Sequence, residues 1–378
     1  MVKLRLLGSL LLALTLAAPV TALEVAPRAP LLEALAFVPR HADVPGFDFV
    51  DWTQLKTLHG GAHINGDSPL AARQRLLLDI ARDEAAPMPF GFDRLPRWSE
   101  AWGWDSTDLE WEARIYGEVA VMRFGQHWDA DRFRGALAGF GYRPEDIGRG
   151  TVYHPDPAAE VPWQLRFANM HGLDIHGRVI TEPMVQVAVT DDGRTVVFTR
   201  APDAGRRLQA ALDADPRRAA TSSFGRAAEV LGRPVAAAVL AGDAACSAYI
   251  NRRLEGDARR LAASVAPLHQ YQALAAGYNR ARAGDPADGR YVFVYEQAEQ
   301  ARDDLPGRRV LIEQGYQYDD DVSRYADVAF SLADAHVVET GLVLDVTPVD
   351  GAPVHVLRNM QIKPAVFATC GPVLLPAA

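Results

Sequence analysis

Apolar and polar positions alternate at two different spacings along this chain, and the spacing changes from one region to the next. Residues 23–115 read as mainly helical. Pro30 to Val38 and Trp52 to Leu58 are short amphipathic stretches. Ser68-Pro69 opens a longer helix, with Ser as N-cap and Pro at the first helical position. Leu70, Leu76, Leu77 and Ile80 follow at helical spacing, and Pro87-Met88-Pro89 ends it. Thr107 and Glu110 have the spacing of a capping box.

From Gly117 the period shortens. Glu118 to Phe124 alternates as a strand does. Asp129 caps a helix carrying Phe133, Ala136, Leu137 and Phe140, and Gly141 stops it. Thr151 to Tyr153 is a short strand. Met184 to Thr190 and Thr195 to Thr199 flank an Asp-Gly turn, a hairpin signature. Pro202 to Leu212 is helical. Residues 215–289 read as Ala- and Arg-rich helix with a strand at Val235 to Leu240 and a helix from Gly242. Tyr291 to Tyr295 starts a second passage of strands and helices: helices at Gln297 to Leu305 and Arg308 to Gln314, strands at Ala326 to Ala333, His336 to Glu339 and Leu342 to Val346, and a final helix at Pro353 to Met360.

The expected fold class is therefore α+β, with antiparallel or mixed sheets and helices packed on one face. The organisation is a mainly helical region at 23–115, a first α+β unit at 116–214, and a helical stretch plus second α+β unit at 215–378. The two α+β passages read as degenerate copies of one strand-helix-strand-hairpin unit.

The start of the chain adds a location. Lys3 and Arg5 precede an apolar run from Leu6 to Val20, and Val20-Thr21-Ala22 presents small residues for a signal peptidase. Residues 1–22 are read as a signal peptide cleaved after Ala22. Contact with a membrane is expected only through this segment if it stays uncleaved. Hydrophobic residues at 49% and charged residues at 23% exclude a disordered tail, a collagen and a multi-span membrane protein. Loss of Lys3 and Arg5 takes the formal charge from −9 to −11, which repels phosphate backbones and excludes nucleic acid as a partner. Cys246 and Cys370 are the two cysteines. In an exported chain they are expected to form a disulfide closing a loop of about 125 residues.

Three stretches carry a resemblance. They are Leu35-Ala36-Phe37-Val38-Pro39 with Phe49-Val50-Asp51-Trp52, then Trp104 to Glu112, then Val119 to Phe124 with Asp129 to Phe133, Gly141-Tyr142 and Gly150 to Tyr153. Together they resemble uncharacterised exported proteins of GC-rich bacteria, a family type of unknown function. The resemblance covers roughly residues 30–215. It implies an exported α+β protein and transfers no catalytic residue.

Candidate chemistry is sparse. Gly66-Asp67-Ser68 echoes a serine esterase block, but no strand precedes it and Pro69 follows, so Ser68 reads as a helix cap. His59 and His63 are four apart, but Gly60 and Gly61 between them weaken a helix. His171, Asp174 and His176 lie in a turn-like segment, and Asp319-Asp320-Asp321 lacks a calcium-loop spacing. No metal ligand set and no cofactor is assigned. Phosphate-binding glycine motifs and Cys-x-x-Cys are absent from the sequence.

The aromatic residues are more distinctive. Trp98, Trp102, Trp104 and Trp111 crowd into fourteen residues among Asp105, Asp108, Glu110 and Glu112. Exposed indoles beside carboxylates suit stacking on a sugar or capture of a cationic group, while buried ones are packing. These four Trp are the candidate ligand-binding residues. The expected function is a non-enzymatic binding or scaffolding protein at the bacterial cell envelope, with a small molecule, a glycan or an envelope protein as partner. The rival is an extracytoplasmic hydrolase assembled from distant loops, with His171, Asp174 and His176 as its candidates. A third reading is a structural assembly subunit.

Overall fold

A computed structural model describes residues 29–38, 46–84, 95–115, 119–156, 186–199, 208–210, 212–213, 221–250, 256–265, 267–316, 323–353, 356, 366–368 and 370. The expected signal segment, Pro87 to Pro89, His171, Asp174, His176, Asp319 to Asp321 and most of the helices expected at 202–212 and 353–360 lie outside the described residues. Among the described residues no helix is long and apolar enough to cross a membrane.

The fold is α+β. Twelve strands form one antiparallel sheet. In chain order they are β1 Gly46–Val50, β2 Leu109–Ile115, β3 Val119–Phe124, β4 Tyr142–Asp146, β5 Gly150–Pro155, β6 Gln186–Thr190, β7 Thr195–Thr199, β8 Ala236–Ala241, β9 Ala273–Asn279, β10 Asp288–Val294, β11 Phe330–Val338 and β12 Gly341–Pro348. Across the sheet the order is β11-β12-β10-β9-β8-β1-β2-β3-β7-β6-β5-β4.

This order holds a repeat. The path β1-β2-β3-β7-β6 has the same neighbours as β8-β9-β10-β12-β11. The two halves meet where β1 pairs antiparallel with β8, Phe49 opposite Ala237, so they are related by an approximate twofold. The first half adds β4 and β5 at its outer edge. The repeat begins earlier than the sequence pattern suggests: each copy starts at β1 or β8 and carries its first helices before the central hairpin.

Ten helices are described: α1 Pro30–Leu35, α2 Trp52–Leu58, α3 Leu70–Asp83, α4 Leu95–Trp102, α5 Ala130–Gly139, α6 Ser223–Leu231, α7 Gly242–Ile250, α8 Gly256–Ser264, α9 Ala298–Gln314 and α10 Tyr325–Val328. Strand residues alternate between two buried faces. On the front face Val50, Met122, Ala238, Leu274 and Phe293 join one core with Leu77, Trp102, Phe133, Leu311 and Tyr325 from α3, α4, α5, α9 and α10. On the rear face Phe49, Val121, Val239, Ala275 and Val292 join a second, smaller core with α1 and α6. Helices thus cover both faces, most of them on the front, which extends the expected one-sided cover.

Local rules explain several boundaries. The Asp129 carboxylate accepts from the amides of Asp131 and Arg132 and caps α5, and Gly141 follows at φ 81°. Gly193 supplies φ 68° in the β6–β7 turn. Ser68 is not the cap of α3: that position is Pro69, and the Ser68 hydroxyl accepts instead from the Asn65 amide. The capping box near residue 107 is built by Asp105 and Asp108, not by Thr107 and Glu110, and it closes a single 3-10 turn before β2.

Strands β1, β2 and β9 fall in regions that read as helical. The boundary expected at residue 115 falls within the β2–β3 hairpin. The sequence Ala-Leu-Ala-Ala-Gly-Tyr-Asn of β9 is buried between β8 and β10. In that place ladder hydrogen bonds and burial between two strands outweigh the helical preference of alanine, which is worth less than about 1 kcal/mol per residue.

Cys246 on α7 and Cys370 form a disulfide, with Cα atoms 5.5 Å apart. Both join the front core. The bond ties the C-terminal region to the helix that follows β8. On the chain-entropy view it contributes about 4–5 kcal/mol. Replacing both cysteines with serine is expected to lower unfolding stability by several kcal/mol in urea. Reductant should destabilise the parent protein and leave the variant unchanged.

Candidate functional site

The four candidate Trp residues do not form a binding surface. Trp98, Trp102, Trp104 and Trp111 are each 0–1% exposed. Trp98, Trp102 and Trp104 pack on the front face, with Trp104 edge-on to Phe124 at 5.2 Å and Trp102 4.3 Å from Phe140. Trp111 points the other way, into the rear core beside Phe37 and Phe49. A register shift in β2 between Leu109 and Trp111 accompanies this change of face. Four indoles close in sequence are thereby divided between two cores, and none reaches a ligand from outside.

Buried charges sit beside the front-face Trp residues. The Asp105 carboxylate accepts from the Thr107 amide and hydroxyl and pairs with Arg73. Asp108 accepts from the amides of Gly66 and Asp105, at 2.7 and 3.0 Å. Burial, with the Asp105 carboxylate next in effect, pushes the Asp108 carboxyl up to about 6. Lys56 donates to the Thr107 carbonyl at 2.7 Å, and burial lowers its ammonium. All these bonds hold α2, α3 and the turn before β2 together, so their role is structural. On β2, Glu112 is 1% exposed and accepts from Arg114 at 2.8 Å.

Two further networks are of the same kind. Glu84, at the end of α3, accepts from Arg280 at 3.0 Å and from the Tyr278 hydroxyl at 2.9 Å, with His59 at 3.3 Å. Asp304 on α9 accepts from the His269 amide, the Tyr295 hydroxyl and Arg308. Arg308 also donates to the Phe367 carbonyl and lies 4.2 Å from the Phe293 ring centre.

An open site lies on the rear face of the second half. Beyond β10 the rear core ends, and a groove of about 240 Å³ runs between α6 and the β11–β12 hairpin. Its floor is Val294 and Val343. Arg226, Glu229 and Val230 come from α6, Arg290 from β10, and His336, Val338, Glu339 and Thr340 from the β11–β12 hairpin. Arg226 donates to Gln272 at 2.7 Å. Arg290 donates to both oxygens of Asp345, at 2.6 and 3.3 Å, and to the Val230 carbonyl at 3.2 Å.

A β-bulge builds the outer part of this site. Leu332 pairs with Val346, but Asp334 pairs with Asp345, so Ala333 is an extra residue on β11. Before it Phe330 and Leu332 face the front core; after it Ala335 and Val337 do. The bulge therefore turns Asp334, His336 and Val338 to the rear. Asp334 and His336 share one side of the strand and Asp345 stands opposite Asp334. One potential ligand atom from each of the three lies within 4.8 Å of the others. His336 Nδ1 is 3.1 Å from the Asp334 carboxylate.

The hairpin turn is strained. Glu339 has φ 52°, the one non-glycine residue with positive φ among those described. Hairpin turns usually give such a position to Gly or Asn.

These residues were not among the sequence candidates. Asp-x-His at strand spacing was a visible signal, but the reading divided β11 at Ala333 and placed Asp334 between two strands. Asp345 is eleven residues away and meets them only through pairing.

No family model, no curated protein and no solved structure matches this chain.

Two outcomes follow from this geometry. The folded state holds the Asp108 proton up to about pH 6, whereas the unfolded chain releases it near the ordinary carboxylate value of 3.8. The folded state therefore binds more protons between about pH 4 and 6, and this group's contribution to stability falls as pH rises through that window, by on the order of 3 kcal/mol. Asp108→Asn should flatten that part of the curve in urea titrations run at successive pH values. Glu339→Gly should raise stability by about 1 kcal/mol, since glycine accepts positive φ without strain; a thermal melt measures it.

Proposed function

We propose that this chain is an exported, non-enzymatic binding protein of a bacterial cell envelope, and that the rear groove beside α6 holds a small polar ligand. The groove itself carries the reading. It is a cleft between α6 and the β11–β12 hairpin, closed below by the buried Val294 and Val343 and bordered by Arg226, Arg290, Glu229, Glu339 and His336. An apolar floor with a few converging polar groups is the usual composition of a ligand site. The mixed charge at the border favours a ligand bearing both polar donors and acceptors over a purely apolar one.

Two features support the location. The N-terminal segment has the pattern of a secretory signal, and Cys246 and Cys370 form a disulfide, a bond that persists in oxidising compartments. The burial of the four Trp residues argues against a glycan stacked on them. The hydrolase candidates His171, Asp174 and His176 lie outside the described residues.

Expression with the native N-terminus in a bacterial host should deliver the chain to the periplasm, with Leu23 as its first residue by N-terminal sequencing. A thermal-shift screen with amino acids, short peptides, polyamines and sugars should find a stabilising compound. At a hundred times its Kd such a compound adds about 2.7 kcal/mol. Thr340→Trp, which fills the groove from the hairpin, should abolish the shift. A screen with no stabilising compound, or a shift that survives Thr340→Trp, would remove the groove from this function.

A further inference from the structure

We propose that Asp334, His336 and Asp345 form a binding site for one divalent first-row transition-metal ion at the edge of the rear groove. The proposal deepens the binding reading, since His336 also lines the groove that reading uses.

Three independent observations converge here. The first is the ligand set: one imidazole and two carboxylates offer atoms that all lie within 4.8 Å of one another, close enough for side-chain rotation to draw them to the separations of about 3–4 Å that ligands about 2 Å from a shared ion require. Imidazole selects for zinc-like ions over calcium and magnesium, which take oxygen ligands.

The second is how the cluster is made. Without the extra residue Ala333, the alternation of β11 would turn Asp334 and His336 into the front core beside Leu344 and Val346. The bulge instead aims both at Asp345 on the neighbouring strand. Bulges are frequent next to functional sites, where they re-aim side chains.

The third is support and access. The Arg290 guanidinium holds both oxygens of Asp345, and the Arg290 Nη1 is itself anchored on the Val230 carbonyl. A carboxylate oriented by an outer hydrogen-bond donor is a common arrangement around bound metals. His336 borders the groove, so three protein ligands leave a coordination position open to solvent or to a ligand lying there. Around the site the carboxylates of Glu229, Glu339, Asp334 and Asp345 outnumber the guanidiniums of Arg226 and Arg290, a balance that favours a cation.

The test uses the full mature chain, stripped with a chelator and titrated with Zn²⁺ by calorimetry and with Co²⁺ by visible absorption, with no organic ligand present. One equivalent should bind, and Co²⁺ should develop a d–d band. His336→Ala and Asp345→Asn should each weaken binding at least about tenfold, because losing an outer-shell partner alone costs 10–100-fold. His154→Ala, at a histidine that meets Glu145 on the opposite edge of the sheet, should change nothing. If His336→Ala does not fold by circular dichroism, the isosteric Asp334→Asn gives the same reading. No binding at millimolar ion, or binding that all three site variants leave intact, overturns the proposal. Because no organic compound is added, failure here is separate from failure of the ligand screen.

Discussion

The pairing of β1 with β8 is the contact on which the rest of the molecule depends. It joins two sheets of like connectivity into one of twelve strands, and it removes the edge that each half would otherwise expose. Its surroundings are tied as firmly as its ladder. The Asp51 amide donates to the Val235 carbonyl and the Val235 amide to the Tyr278 carbonyl. Above it, Glu84 at the end of α3 in the first half meets Tyr278 and Arg280 of the second half. Buried at 0% and 5% side-chain exposure, the Glu84–Arg280 pair is costly to break from one side, about 3–5 kcal/mol in comparable cases. That penalty fixes how the halves meet more than it adds to stability.

The front and rear faces use polar groups differently. On the front, Asp105, Asp108, Asp304 and Arg308 are surrounded by partners and hold helices onto the sheet. Their hydrogen bonds are internally satisfied, which is what a buried polar network needs in order not to destabilise the fold. On the rear of the second half the polar groups stand at the rim of an open surface. There α6 covers β8, β9, β10 and the start of β12, where Val343 is buried, and leaves Val338 and His336 of β11 open. The same alternation of strand residues that fills the front core leaves Arg290, Asp345 and His336 facing this space.

The outer edges of the sheet are treated separately. On β4, Arg143 to Asp146 are exposed and include Pro144, which donates no ladder hydrogen bond. On β11, the bulge and the charged residues interrupt a regular edge. Both devices discourage pairing with another chain. At β11 the device has a second consequence, because the same bulge gathers Asp334, His336 and Asp345.

Much of the local structure was legible in the amino-acid sequence. Trp52–Leu58, the capped helix after Asp129, the Asp-Gly hairpin, the strand before Gly242 and the Cys246–Cys370 bond all follow from spacing, caps, turn residues and cysteine count, which act over a few residues or by elimination. The α+β class follows from the mixture of periods. What the tertiary structure alone decided was burial and partnership. Strands β2 and β9 carry weak local preferences and become strands because neighbours supply their ladders on both sides. Spacing alone left the crowded Trp residues open between core packing and a ligand surface; the fold buries all four, sending Trp111 to one core and the other three to the opposite one. Asp334, His336 and Asp345 were unreadable as a group. One extra residue sets which way a strand faces, and cross-strand register sets what lies opposite; neither is expressed in the spacing of side chains along the chain.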